Sequence, residues 1–507
     1  MRKIVMLGST PRTQRSLSSV QLPVGLECTS SSPVFYYSTS DFIYDLRAPR
    51  SRCKESDSRQ KVKELFMSRW EAAKEDKAFN YDLNCMYKLL PGDFNLSVQV
   101  KELFMSRWEA AKEDKAFNYD LNCMYKLLPG DFNLSVQLNV ERGQLRRKPM
   151  RFHAVREPFS TLRWNFNKLK QNEVMLYLRC KDRPLSSDPL DRHVVAVNSS
   201  PLERGHSLVI PAINRCLPQV LTDVAVRIAT DLMLLFDDDS FHVLFNSLLG
   251  QASVNHLHLH ALTWPYDSDL INRKCEHVMG DMYVIRRPNW FISTIVFQLC
   301  SHDRLDKFIW DVSKCADFLS SKEVAHNIFL SRAQPLRMSG EEWSEDRKQQ
   351  LPLLVTAYIF PRVSIAGAKP AVSFNPAALE LAGCLTAYTY RFFETISEEI
   401  ALRIIDEEAT LPDSLFNQLC SQLKDVLSGK TPQKPNNYDS GDSDLTSPEL
   451  DELRDSFQTF EMHSPRRFFI NQKRRPGSAD SAIAFTFPGD EHHQPEQDVQ
   501  PGGSSSA

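Results

Sequence analysis

The stretch His256-Leu257-His258-Leu259-His260 sets three imidazoles two residues apart, with Asn246, Gly250-Gln251 and Ser253 upstream. Strict alternation reads as a strand, and strand side chains point to opposite faces with a period of two. The three histidines then share one face while Leu257 and Leu259 enter the core. Imidazole has the side-chain pKa closest to neutrality, so an uncharged ring can offer a lone pair to an electrophile while its other nitrogen is held by a hydrogen bond. That wiring suits nucleophilic catalysis. One histidine on a strand is usually a polar surface residue or a satisfied core residue; three in alternation are harder to explain that way. Zinc is the competing chemistry, because His-x-His can supply two ligands. No cysteine or carboxylate is spaced locally to complete the set, so the expectation is a site with no metal and no cofactor.

Other elements must position this strand. Val174 to Leu178, His193 to Val197, Ser207 to Ile210, Phe241 to Phe245 and Leu353 to Phe360 read as strands. Leu221, Val224, Ile228, Leu232 and Leu235 recur at helical spacing and predict a helix from about Leu217 to Phe236, its apolar stripe laid on a sheet. Further helices are expected at Leu305 to Leu319, Pro376 to Leu385, Glu398 to Glu408 and Leu411 to Leu427. The order predicts an α+β fold built on an antiparallel sheet with flanking helices.

A repeat interrupts this pattern: Val62 to Gln99 recurs without a single change as Val100 to Gln137, a period of 38 residues. Solenoid repeats diverge and occur at least three times, so a perfect pair reads as a recent duplication or a gene-model error. The second copy runs into Leu138-Asn139-Val140 and is expected to be the one that packs. Residues 1–55, rich in Ser, Thr, Pro and Arg, and the tail 429–507, with Asp439 to Asp444 and a closing Gly-Gly-Ser-Ser-Ser, read as disordered.

The chain has 507 residues, 42% hydrophobic and 25% charged, with a formal net charge of -3, so electrostatics nominate no nucleic-acid partner. No apolar run is long enough for a secretory or membrane segment, and 11 singly spaced cysteines suggest a reducing compartment. The expectation is a cytoplasmic protein.

The histidine run, read with Asn246, Gly250, Gln251 and Ser253, resembles the signature of the histidine triad superfamily of nucleotide hydrolases and transferases. Asn198-Ser199-Ser200-Pro201-Leu202-Glu203-Arg204-Gly205-His206, leading on to Pro211, resembles that superfamily's nucleotide-side strand pair. Gln137 to Gly143, Phe166 within Asn165 to Lys168, Ala325-His326-Asn327, and Phe374-Asn375 leading to Gly383 resemble the GDP-hexose phosphorylases. The likeness is closer to the animal GDP-glucose branch than to the plant GDP-L-galactose branch, and it covers roughly residues 100–427.

The resemblance implies a histidine-triad-like sheet, with room for two such halves. It makes His258 the nucleophile and His256 the residue that orients it. His260 and Ser253 would donate hydrogen bonds to the phosphate, with Gln251 and Asn246 nearby and Asn198 at the ribose. It further implies GDP-glucose or another GDP-hexose and inorganic phosphate as substrates, a GMP-histidine intermediate, and no redox cofactor. Histidine at the third triad position, where the hexose-phosphate transferases and the plant enzyme usually carry glutamine, leaves hydrolysis to GMP as an alternative. A non-catalytic nucleotide-binding scaffold is the other. The sequence has no GxxxxGK[ST] loop. Arg146-Arg147-Lys148 reads as a solvated surface run, and Lys473 to Ser478 as a weak match to a kinase target.

Overall fold

The computed structural model describes residues 34–47 and 96–429, apart from 120, 122, 148–149, 184–189, 366–372 and scattered positions between 339 and 349. The tail after Gly429, the first repeat copy up to Asn95 and the rest of the N-terminal segment lie outside the described residues. In chain order the elements are β1 (Val34–Tyr37), β2 (Leu46–Arg47), α1 (Leu96–Glu113), β3 (Met124–Leu127), β4 (Ser135–Leu138), α2 (Val140–Leu145), β5 (Val174–Cys180), β6 (His193–Val197) and β7 (Ser207–Ile210). There follow α3 (Asp223–Leu235), β8 (Phe241–Asn246), β9 (Leu259–Thr263), β10 (Glu276–Met279), β11 (Met282–Ile285), β12 (Thr294–Gln298), α4 (Leu305–Ser321), β13 (Ala325–Ala333) and β14 (Pro352–Arg362). The chain continues through α5 (Ala378–Leu381), β15 (Cys384–Ala387), α6 (Tyr390–Thr395), α7 (Glu398–Ala409) and α8 (Asp413–Leu427).

The large sheet runs β1-β5-β6-β7-β9-β8-β13-β14-β12-β11-β10, with β2 added to β14. Every neighbouring pair is antiparallel except β1 with β5. The order contains one pattern twice. Strands β5-β6-β7-β9-β8, with α3 between β7 and β8, match β10-β11-β12-β14-β13, with α4 between β12 and β13. The halves meet where β8 pairs β13, from Asn246 opposite Asn327 to Val243 opposite Leu330. The α+β class, the antiparallel sheet and the two halves are therefore as the sequence led one to expect.

Register fixes which face does what. His260 stands opposite Leu208 and Leu244, Leu244 opposite Phe329, and Phe329 opposite Tyr358. Residues directly opposite share a face. Across the second half that face is buried beneath a three-stranded sheet, β15-β4-β3, in a core joining Leu244, Phe329, Tyr358 and Phe360 to Val136, Leu138, Cys384 and Leu385. No residue of α3 or α4 belongs to this core, yet both helices pack on β13. They therefore cover the reverse face.

Three expectations need correction. The helix expected from Leu217 begins only at Asp223, because Pro218 disfavours helical backbone at the preceding Leu217 and Thr222 caps the first turn by accepting from Ala225 N at 3.2 Å. The helix expected from Pro376 to Leu385 stops at Leu381: Gly383 takes φ +91° and turns the chain into β15, which pairs parallel to β4. Within the N-terminal segment read as disordered, residues 34–47 form β1 and β2, and Tyr37 donates to the buried Asp231 at 2.7 Å. Val34 and three consecutive aromatics, Phe35, Tyr36 and Tyr37, supply the strand propensity.

Of the repeat, the second copy builds most of α1 together with β3 and β4. Among the described residues no helix is long and apolar enough to cross a membrane, and the eight described cysteines are free thiols.

Candidate active site

The ladder of β9 starts at Leu259, so His256 and His258 lie just ahead of it and not within a strand as alternation suggested. A side chain takes the place of the missing neighbour. Gln219, buried between β7 and α3, accepts from His258 N at 2.9 Å and donates to His258 O at 3.0 Å and Asn246 O at 2.9 Å. Its own N–H donates to Asn255 Oδ1 at 2.8 Å, and Leu257 N donates to Leu217 O at 2.8 Å. Leu257 and Leu259 are buried, as the alternation required.

Each imidazole is fixed by its partners. Nδ1 of His258 lies 2.8 Å from the carbonyl oxygen of His256, an acceptor, so the proton sits on Nδ1 and Nε2 carries the lone pair. The ring is therefore oriented by the main chain of His256. The His256 ring is otherwise occupied: Nδ1 accepts from Phe166 N at 3.1 Å and Nε2 donates to Ile213 O at 3.0 Å. Phe166 packs against both rings, with centroids 4.9 Å from His258 and 5.6 Å from His256.

At the third position, His206 decides the tautomer. Its Nδ1 accepts from Leu202 N at 2.9 Å, so Nε2 bears the hydrogen and donates to His260 Nδ1 at 3.0 Å. The remaining proton of His260 is then on Nε2, a donor. Burial lowers the pKa of His256 and His258 to about 4. Burial, with the nearby Arg142 charge, holds His206 and His260 well below the usual imidazole range. All four are neutral at pH 7, the form in which a ring nitrogen can attack.

The remaining sequence candidates gather around this line. Asn198 places its amide nitrogen 3.2 Å from His206 Nε2 while its oxygen accepts from Ser200 N at 3.0 Å. Asn246 Oδ1 accepts from Asn327 Nδ2 at 2.6 Å and Ala378 N at 3.0 Å, which joins the two halves of the sheet and α5 at the site. Gln251, at φ +79°, has a sealed Nε2 with no hydrogen-bond partner, and Ser253 is half-buried. Among the described residues no group of three or more His, Cys, Asp and Glu side chains is arranged to hold a metal ion.

Gln219 and the role of His206 escaped sequence reasoning. Gln219 precedes the triad by about forty residues with no pattern to mark it, and His206 was visible only as part of a longer resembling run. Two more residues arrive from distant elements. Arg142 on α2 donates through Nη1 to Ser200 O, and Glu380 on α5 is buried, its pKa raised by that burial to about 7.

Comparison with known proteins follows the same boundaries. Residues 99–262 match the family described as GDPGP1-like, N-terminal domain, and residues 271–430 match GDPGP1-like, C-terminal domain. The chain is 54% identical over 478 residues to GDP-D-glucose phosphorylase 1 of Caenorhabditis elegans, spanning 92% of this chain and 91% of that relative. It is 34% identical over 290 residues to GDP-D-glucose phosphorylase 1 of Danio rerio, spanning 57% and 80%. Among solved structures, yeast Ap4A phosphorylase Apa2 in complex with Ap4A aligns over 62% of this chain and 98% of its own, at 14% identity and a TM-score of 0.44.

Proposed function

We propose that this chain, which belongs to the GDPGP1-like family, is a GDP-hexose phosphorylase that passes GMP through His258 to inorganic phosphate. GDP-glucose is the substrate favoured by the names of its relatives. The observation that carries the role of His258 is its hydrogen bonding: Nδ1–H is tied to the His256 carbonyl, so the lone pair on Nε2 is free and aimed by the backbone.

In the first displacement Nε2 forms a bond to the guanosine-side phosphorus. The bond from that phosphorus to the bridging oxygen breaks, and hexose 1-phosphate leaves with the electron pair. In the second, an oxygen of inorganic phosphate attacks the same phosphorus, the phosphorus–nitrogen bond breaks, its pair returns to Nε2, and GDP departs. Charge accumulates on the phosphoryl oxygens in both steps. The Nε2–H of His260 and the unpartnered amide of Gln251 are donors able to meet it, with Ser253 beside them. Asn198 is assigned to the ribose, and Asn246 braces the site through its oxygen. Phe166 against two of the rings limits water at the intermediate.

The test is incubation of the purified chain with GDP-glucose, with and without inorganic phosphate, following GDP and glucose 1-phosphate. Phosphate-dependent GDP formation supports phosphorolysis. Release of GMP without phosphate would assign the protein to hydrolysis instead, and no turnover of any GDP-hexose would leave the scaffold reading.

A further inference from the structure

Arg142 is one of three described arginines, with Arg273 and Arg332, whose Nε is left orphaned, and its charge bears on His206 and His260. Its Nε is sealed from solvent and has no hydrogen-bond partner. Among the described residues no carboxylate lies within ion-pairing distance of its guanidinium, whereas Arg183 and Arg286, half-buried like Arg142, each have one. A charge partly withdrawn from water is costly unless something compensates it. Glu380, which burial keeps partly protonated at neutral pH, faces both Arg142 and Arg146, and the side chains of Tyr388 and Tyr119 also lie beside Arg142. Two guanidinium groups therefore confront one partly ionised carboxyl.

Arg142 is also held rigidly. Asn139 caps α2 by accepting from Arg142 N at 3.0 Å, and Asn139 N donates to Ala387 O at 2.9 Å. The helix then approaches Tyr388 so closely at Gly143 that a β-carbon there would lie 2.7 Å from Tyr388 Cβ. One turn on, Arg146 donates to Tyr388 Oη at 3.2 Å and lies over its ring. A short series of contacts links this helix to the triad: Arg142 to Ser200 O, Ser200 N to Asn198 Oδ1, and Asn198 beside His206, which donates to His260.

We propose that Arg142, backed by Arg146, binds the phosphate group beyond the attacked phosphorus: the β-phosphate of the GDP-hexose in the first displacement and inorganic phosphate in the second. This rests on the phosphorylase reading. Both groups occupy one place because each lies in line with the phosphorus–nitrogen bond, opposite His258. A phosphate dianion supplies the missing counterion, and a guanidinium binds phosphate oxygens through parallel N–H donors. The subsite would also favour phosphate over water as the acceptor, since water offers no charge for the arginines to hold.

The test is a binding comparison that needs no turnover. In a His258→Asn background, which cannot form the intermediate, GDP and GMP are titrated calorimetrically with Arg142 intact and with Arg142→Gln. GDP carries the second phosphate and GMP lacks it. Loss of at least about tenfold in GDP affinity, with GMP unchanged within about twofold, is the expected result. Equal weakening of both nucleotides would reveal a merely structural arginine, and unchanged GDP affinity would overturn the assignment. If Arg142→Gln lowers the melting temperature markedly, Arg142→Lys with His258 restored gives a second readout. Its KM for inorganic phosphate rises several-fold at unaltered thermal stability, and an unaltered KM would overturn the proposal. Failure of wild-type phosphorolysis would count against the reaction, not against this subsite.

Discussion

The two halves of the large sheet share one strand order and one helix placement, yet only one of them carries the triad. On the same face and in equivalent strands, β9 and its approach present His256, His258 and His260, whereas β14 presents Thr356, Tyr358 and Phe360. In the second half the ladder continues unbroken through β14 and the small sheet seals the face. In the first half the ladder gives out before Leu259, and Gln219 satisfies the backbone instead. A continuous ladder with apolar side chains makes a core. A ladder interrupted at its N-terminal end leaves carbonyls free to aim ring nitrogens, which makes a site.

The contrast can be broken most severely at its centre. His258→Ala is expected to lower phosphorolysis at least about 1,000-fold, far more than any loss of folded protein explains, because it removes the nucleophile as well as a buried ring packed on Phe166. Steady-state rates together with a thermal melt check this; retained activity would end the histidine mechanism.

Phe360→Ala should do the reverse. Phe360 is fully buried, so its loss costs about 3–5 kcal/mol by denaturant titration, while the protein that remains folded keeps its catalytic rate. A rate loss larger than the folded fraction accounts for would show that the second half takes part in chemistry.

Gln219→Ala probes what replaces the ladder. Three hydrogen bonds to the backbone at His258 and Asn246 vanish, and a rate loss of about 100-fold is expected from misplacement of the nucleophile alone. It should also destabilise the fold by about 1–3 kcal/mol, because it strands buried backbone groups.

Acid should separate the halves more gently. His193, His242, His256 and His258 in the first half, and His326 in the second, have pKa values lowered by burial to about 4. In the unfolded chain they titrate near about 6.5, so the unfolded state binds more protons between these values. Stability is complete above about 6.5 and declines as the pH falls towards 4. Hydrogen exchange at pH 7 and pH 5 should show protection lost first around β6, β8 and β9; earlier loss around β13 would contradict this.

The smallest effect concerns the repeat, whose first copy we regard as having no catalytic role. Deleting Val62 to Gln99 gives the same polypeptide as deleting the second copy, since the two are identical. Activity should stay within about twofold of the full chain, because of the first copy only Leu96 to Gln99 enters a described element and the second copy supplies the rest of α1. A large loss would give the first copy a function.

Much of this was legible in the sequence. Period-two alternation marked the triad, an apolar stripe marked α3, helices were expected where α4 and α8 stand, and Leu257 and Leu259 were correctly assigned to the core. Helix ends were read less well at Leu217 and Leu385, where Pro218, Thr222 and Gly383 decide the boundary through backbone conformation rather than hydrophobic pattern. Arg146 was set aside as a solvated residue, but it lies over Tyr388 beside a buried carboxyl, a contact that joins residues more than two hundred positions apart.

What the sequence determined alone was local: which residues can do chemistry, which segments have one apolar face, and the family that their spacing resembles. The tautomers of His256 and His260, the neutral charge states and the backbone path that aims His258 at its own neighbour's carbonyl were decided only by tertiary structure. They depend on which carbonyl, amide or guanidinium lies within about 3 Å of a ring nitrogen or near it in a medium with little water. Those neighbours reach the triad from two separate parts of the chain, His206, Ile213 and Gln219 from around β7 and the segment after it, and Arg142 from α2.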